Sequence, residues 1–156
     1  KGRYEHKIKG YNSRLDTVQA VVLSAKLKHL DQWNRMRAEK AAYYGERLKR
    51  IDGIKVPVGK NDRQHVYQTF AVRVKNRDHV CDELQKRGIG VLIHYPIPLH
   101  LQEAYQEMGH RPGDFPVAEA VAGDILSLPM FPHITSPQID HVCDQLAQII
   151  SGRGGF

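Results

Sequence analysis

Cysteine is scarce in this 156-residue chain: Cys81 and Cys143 are the only two, too few for the disulfide framework of a small secreted domain. Both fall inside helical patterns, which predicts reduced, half-buried thiols. Long apolar runs are missing as well. Nothing approaches the roughly 20 residues that span a bilayer, and the opening Lys1-Gly2-Arg3-Tyr4-Glu5-His6-Lys7 is followed by no hydrophobic signal region. The expectation is a cytoplasmic chain with no membrane partner. No G-x-G-x-x-G fingerprint or Walker loop occurs, so no nucleotide can be placed by a glycine cradle. An aromatic-interleaved RNA-binding pattern, a zinc finger and a compact recognition helix are absent too. No Met stands at position 1, and Lys1 falls in mid-pattern, which reads as a fragment or a processed chain.

What is present fits one soluble domain with a real core: 41% of residues are hydrophobic and 26% charged. The net charge of +6 is unevenly spread. Residues 1–75 carry 18 Lys and Arg against 7 Asp and Glu, whereas residues 76–156 carry 5 against 10. A basic half suits an anionic partner, whether nucleic acid, a membrane surface or a small phosphorylated ligand. A free-standing module binding nucleic acid or another polyanion is therefore one reading; a solvated helix face or a subunit contact is the plainer one. Asp78-His79-Val80-Cys81-Asp82 and Asp140-His141-Val142-Cys143-Asp144 nearly repeat and suggest a His2Cys2 zinc site. A His and a Cys two apart on a helix, however, point about 200° apart and cannot easily share one metal. Two amphipathic helix starts with acidic first turns account for the repeat more simply.

From Leu15 to about Ile51 there is no proline and one glycine, Gly45. Val18, Val22, Leu30, Trp33, Ala41, Tyr44 and Leu48 follow a drifting helical face, so one long helix, or two with a kink, is expected. Asp16 with Gln19, or Ser13 with Asp16, can cap its start, and Asp52-Gly53 ends it. Strands are predicted over Ile54–Pro57, Val66–Val74 and Ile89–Ile93, with a last short extended segment over Leu126–Pro129. Helices are predicted over Arg77–Lys86, Leu101–Glu107 and Pro116–Ile125, and from Pro137 to Ile150. The order is α+β, a long N-terminal helix and a small, mostly antiparallel sheet with flanking helices, without the βαβ rhythm of a doubly wound fold.

Two clusters carry candidate chemistry. In His94-Tyr95-Pro96-Ile97-Pro98-Leu99-His100, two imidazoles and a phenol sit on a segment stiffened by prolines that also bias Tyr95 and Ile97 toward extended backbone. It is either a rigid exit loop with local hydrogen bonds or a site. Asn12 and Arg14, beside a helix start, could bind a phosphate or carboxylate, although capping alone explains a polar residue there.

Gly10-Tyr11-Asn12-Ser13-Arg14-Leu15-Asp16, the helix containing Leu27-Lys28-His29-Leu30-Asp31, the His94–Gln102 segment, Gly113-Asp114-Phe115-Pro116-Val117-Ala118-Glu119 and Leu126-Ser127-Leu128-Pro129 together resemble one family, in order and over nearly the whole chain. It is the C-terminal part of the DegT/DnrJ/EryC1/StrS sugar aminotransferases. The resemblance implies the C-terminal domain of a fold-type I aminotransferase. It implies a homodimeric enzyme using pyridoxal 5'-phosphate to transaminate a UDP- or dTDP-keto-sugar, with glutamate as the expected amino donor. The His-Tyr-Pro-x-Pro-x-His form resembles members that aminate C3. It further implies that Asn12 reaches the cofactor phosphate of the neighbouring subunit, and that Arg14, His94 and Tyr95 approach the sugar nucleotide in that same site. Residues 1–14 then form the connection from a large domain, 15–151 the small domain and 152–156 a tail. The family's Schiff-base lysine lies upstream of the Gly-Tyr-Asn motif, and Lys1, Lys7 and Lys9 do not match its surroundings. No catalytic residue is therefore expected in this chain, and the chain alone should not transaminate.

Overall fold

The computed structural model describes residues 5–11, 13–60 and 62–152. The expected long helix is two: α1 (Thr17–Leu27) and α2 (Leu30–Leu48). The Asp16 N–H donates to Gln19 Oε1 at 3.4 Å, one half of the anticipated capping box. The break needs no proline. His29 N–H turns back to the Lys26 carbonyl at 3.0 Å, a tightened last turn, and α2 restarts when Trp33 N–H bonds His29 O. The two helices differ in burial. Ala41, Tyr44 and Leu48 of α2 enter the core, whereas α1 buries nothing, and Val18 of the expected apolar face is 76% exposed.

Three antiparallel strands in the order β1-β2-β3 form the sheet: β1 (Ile54–Lys55), β2 (Phe70–Val74) and β3 (Ile125–Leu128). The strand predicted from Val66 begins only at Phe70, because Tyr67 has φ of +48° and its N–H goes to His65 Nδ1. The segment 89–93 does not form a strand; it meets β3 through one bridge, Leu92 to Ser127. The expected helix over Leu101–Glu107 is two short 3-10 runs, Leu99–Leu101 and Glu103–Met108, and Ile125 belongs to β3 and not to the helix before it. α3 (Arg77–Lys86) stands as expected, while α4 (Pro116–Asp124) stops one residue short of the predicted end and α5 (Ser136–Ile150) starts one residue before Pro137. The α+β class read from the sequence is the one found.

Period-two alternation gives the sheet two different faces. Phe70, Val72, Val74, Leu126 and Leu128 point into one core cluster with Tyr44, Leu84 and Leu146 from α2, α3 and α5. The Tyr44 ring stacks on Phe70 at 4.9 Å, and its hydroxyl donates to the Pro129 carbonyl at 3.0 Å. Ala71, Arg73, Ile125 and Ser127 share the other face. Arg73 Nη2 pairs with Asp124 at the end of α4 at 3.0 Å, so α4 lies over this second face.

Cys81 and Cys143 are fully buried, not half-buried, and burial pushes the Cys143 thiol up to about 11. Among the described residues no group of three or more His, Cys, Asp or Glu is placed to hold a metal. The near-repeat is not two equivalent helix starts. Asp78 lies in the first turn of α3, but α5 has no acid in its first turn. Asp140 instead accepts from Tyr43 at 2.8 Å and pairs with Arg47 at 2.9 Å, tying α5 to α2.

Candidate functional site

The second sheet face, α4 and the His94–His100 segment enclose a cavity of about 910 Å³. Ile97, Pro98, Leu99, Phe115, Ala118 and Val121 make most of its wall, and the polar groups in it are His6, His94, Tyr95, His100 and Gln102. Among the described residues no Lys, Arg, Asp or Glu lines it. Such a site, apolar with a few convergent hydrogen-bonding groups, is a usual form for small-molecule binding.

The segment is pinned at both ends. At its start, His94 Nδ1 lies 3.0 Å from Ser127 Oγ on β3. The His94–Tyr95 peptide bond is cis, and the exposed Tyr95 ring meets the His94 ring edge-on at 5.6 Å. At its end, His100 Nε2 lies 3.0 Å from Glu119 Oε1 in the first turn of α4. The same carboxylate accepts the Gly113 N–H at 2.9 Å and the Phe115 N–H at 3.2 Å. Glu119 thereby ties the 109–115 loop and the His94–His100 segment to one helix. Phe115 fills the corner, its ring 4.7 Å from His100 and 5.0 Å from His110.

The N-terminal segment straps across the 3-10 runs. His6 N–H donates to Gln102 Oε1 at 3.1 Å, Ala104 N–H donates to His6 O at 2.9 Å, and Lys7 pairs with Glu103 at 3.2 Å. Lys9 pairs with Glu107. This strap brings the His6 imidazole to the cavity.

The Gly113 N–H foremost, with help from His100, holds the Glu119 carboxyl below its ordinary value of 4.5. The Arg111 N–H does the same for Asp114. A carboxyl depressed by folding adds stability that is complete above its unfolded pKa and disappears as pH falls through the folded one. Glu119→Gln is therefore expected to lower stability at pH 7 and to flatten the acid limb below about pH 4.5, measured by urea melts across pH 3–7. A wild-type acid limb in the variant would show that Glu119 is not a source of it.

Of the residues singled out in the sequence, the structure brings His94 and Tyr95 together in the cavity. Arg14 is not part of its lining; it is 79% exposed, with Nη2 on Asp16 Oδ2 at 2.9 Å. Asn12 lies outside the described residues. His100, the second imidazole of the segment, also lines the cavity and meets Glu119, whereas His6, Gln102, Glu119 and Ser127 were not singled out from the sequence. Gln102, Glu119 and Ser127 stood inside the quoted motifs, and the signal that could have found them is polar residues set among apolar ones. For His6 no such signal existed.

The sequence profile described as the DegT/DnrJ/EryC1/StrS aminotransferase family matches residues 1–147. The chain belongs to this family. It is 45% identical over 142 residues to the erythromycin biosynthesis sensory transduction protein EryC1 of Saccharopolyspora erythraea, covering 91% of this chain and 39% of that protein. It is 43% identical over 146 residues to the dTDP-3-amino-3,4,6-trideoxy-alpha-D-glucose transaminase of Streptomyces venezuelae, covering 94% and 38%. The crystal structure of S. venezuelae DesV in complex with a ketimine intermediate superposes with a TM-score of 0.82 at 42% identity, over 96% of this chain and 40% of that one. The chain thus spans about two-fifths of the length of the DegT/DnrJ/EryC1/StrS proteins it resembles.

Proposed function

We propose that the chain is the C-terminal small-domain part of a pyridoxal-phosphate-dependent aminotransferase acting on a nucleoside-diphosphate 3-keto-sugar, dTDP- or UDP-linked, with glutamate as donor. The observation that carries this reading is the convergence of His94 and Tyr95 in a neutral, largely apolar cavity of a chain 43% identical to a dTDP-sugar transaminase. Imidazole and phenol suit sugar hydroxyls or a carboxylate, and a guanidinium suits a diphosphate. In this reading residues 1–14 connect to a large domain, residues 15–151 are the small domain and 152–156 a tail. Arg14, outside the lining of the chain's own cavity, serves a neighbouring subunit of a homodimer together with Asn12, His94 and Tyr95. The exposed apolar side chains Leu15, Val18, Val21 and Leu23 fit a surface that the remainder of the enzyme covers.

Pyridoxal phosphate, when bound, supplies the electron sink and amino carrier of transamination. The described residues do not fit it as a complete site. The cavity holds no lysine to anchor it and no carboxylate to face its ring nitrogen, and Lys7 and Lys9 are turned to Glu103 and Glu107. What the chain offers is hydrogen bonding to substrate and, through Asn12, to a phosphate. Among the described residues no helix is long and apolar enough to cross a membrane; a cytoplasmic location is part of the same reading. The polyanion-module alternative has less support, because Arg14, Arg47, Lys49 and Arg63 of the basic half are each paired with a carboxylate.

Incubated alone with pyridoxal phosphate, the chain is expected to bind weakly and to develop no stable visible band. A band that borohydride fixes to one defined lysine would contradict the division of labour proposed.

A further inference from the structure

We propose that Ser127 is a positioning residue for His94: its hydroxyl holds the imidazole by Nδ1, so that Nε2 is the ring nitrogen presented to a ligand in the cavity. The inference rests on the reading of His94 as a sugar-nucleotide contact and adds to it the residue that orients that contact. Ser127 is 6% exposed in a strand otherwise made of Ile125, Leu126 and Leu128. A hydroxyl at such a position is costly unless it is bonded, and the bond it makes is the 3.0 Å contact to His94 Nδ1.

Its own placement is firm. Ser127 pairs with Ala71 on one side, while on the other its N–H donates to Leu92 O at 2.8 Å and its carbonyl accepts from Leu92 N–H at 3.2 Å. Leu92 is two residues before His94, so the backbone delivers the imidazole to the hydroxyl. An imidazole can turn by 180° about its outer side-chain torsion at small intrinsic cost, which exchanges a nitrogen for a carbon on the side facing a ligand. The Ser127 bond removes that ambiguity. Because a hydroxyl both donates and accepts, it serves either neutral tautomer and the imidazolium alike; what it fixes is the orientation of the ring and not its charge. Tyr95, in edge contact with that ring at 5.6 Å, is steadied with it.

The test has two arms. In 15N spectra of the histidine rings of this chain, Ser127→Ala should move the His94 Nδ1 resonance and leave the other imidazoles in place, and Ser127→Thr should restore it. In the enzyme that contains this chain, Ser127→Ala should raise KM for the sugar nucleotide about five-fold, the worth of one ordinary hydrogen bond, with kcat within about two-fold and recovery in Ser127→Thr. An unmoved His94 resonance in folded Ser127→Ala overturns the inference. So does an unchanged KM in Ser127→Ala when His94→Ala raises it. If His94→Ala leaves KM unchanged as well, the sugar-nucleotide reading of His94 fails, and the inference fails with it.

Discussion

Leu146→Ala is expected to destabilise the chain by about 2–5 kcal/mol, the range for removing a fully buried leucine side chain without refilling its space. Leu146 is 0% exposed on α5, in the cluster with Tyr44, Leu84 and Val72. α5 packs against both α2 and α3 over this cluster, so the gap is bounded by two separate helices and does not close by the movement of one. Against the 5–15 kcal/mol of an ordinary domain this is a large share. Val18→Ser on α1 supplies the contrast: at 76% exposure it should change the stability of this chain by no more than about 0.5 kcal/mol. Urea melts of the two variants check both values. Equal effects would mean that α1 is held in the core after all.

In the sugar-nucleotide aminotransferase proposed to contain this chain, Arg14→Ala is expected to raise KM for the sugar nucleotide about 10- to 100-fold while kcat falls much less. Charge-assisted hydrogen bonds of the kind a guanidinium makes with a diphosphate are worth about 1.5–3 kcal/mol each. They form with the ground state and persist through reaction, so their loss appears in KM. Arg14 bonds its near neighbour Asp16, at 79% exposure, an exchange of little consequence for folding. A large kinetic effect without a change in melting midpoint would therefore mark a ligand contact. His94→Ala should raise the same KM by a smaller factor, about 5- to 10-fold, because the imidazole contributes a single bond. Steady-state kinetics with varied sugar nucleotide separates the two.

The parts of this fold that were legible in the sequence are those where local chemistry and tertiary packing agree. α3 ends before Gly88, which takes φ of +77°, and α5 begins behind Thr135, whose N–H bonds Gln138 Oε1 at 2.9 Å; both follow from capping rules. The parts that differ are decided by partners far away in sequence. Leu92 pairs with Ser127, 35 positions on, and because the pairing goes no further than that bridge the apolar run is not a full strand. Leu101–Glu107 has a helical composition, yet the His6 backbone and Gln102 hold it as 3-10 turns. At the site, His94 and Tyr95 could be singled out from prolines and residue type. The roles of Ser127 and Glu119 could not, because a serine in a strand and a glutamate in a helix turn are unremarkable until the segment they anchor is in place. α1 shows a further limit. Its apolar residues matched a helix face but not this chain's core, as expected of a surface whose partner lies elsewhere.

In the function proposed above, this chain lends substrate-facing residues to a sugar-nucleotide aminotransferase that it does not complete alone. The most direct measurement is calorimetric titration of dTDP- and UDP-sugars into the chain by itself and into the chain mixed with a polypeptide supplying the remaining part of the enzyme. No saturable binding to the chain alone is expected, but saturable binding by the mixture, lost when the chain carries Arg14→Ala together with His94→Ala. Tight binding of unrelated DNA or RNA by the chain alone, falling steeply with salt, with no sugar-nucleotide binding by the mixture, would contradict it.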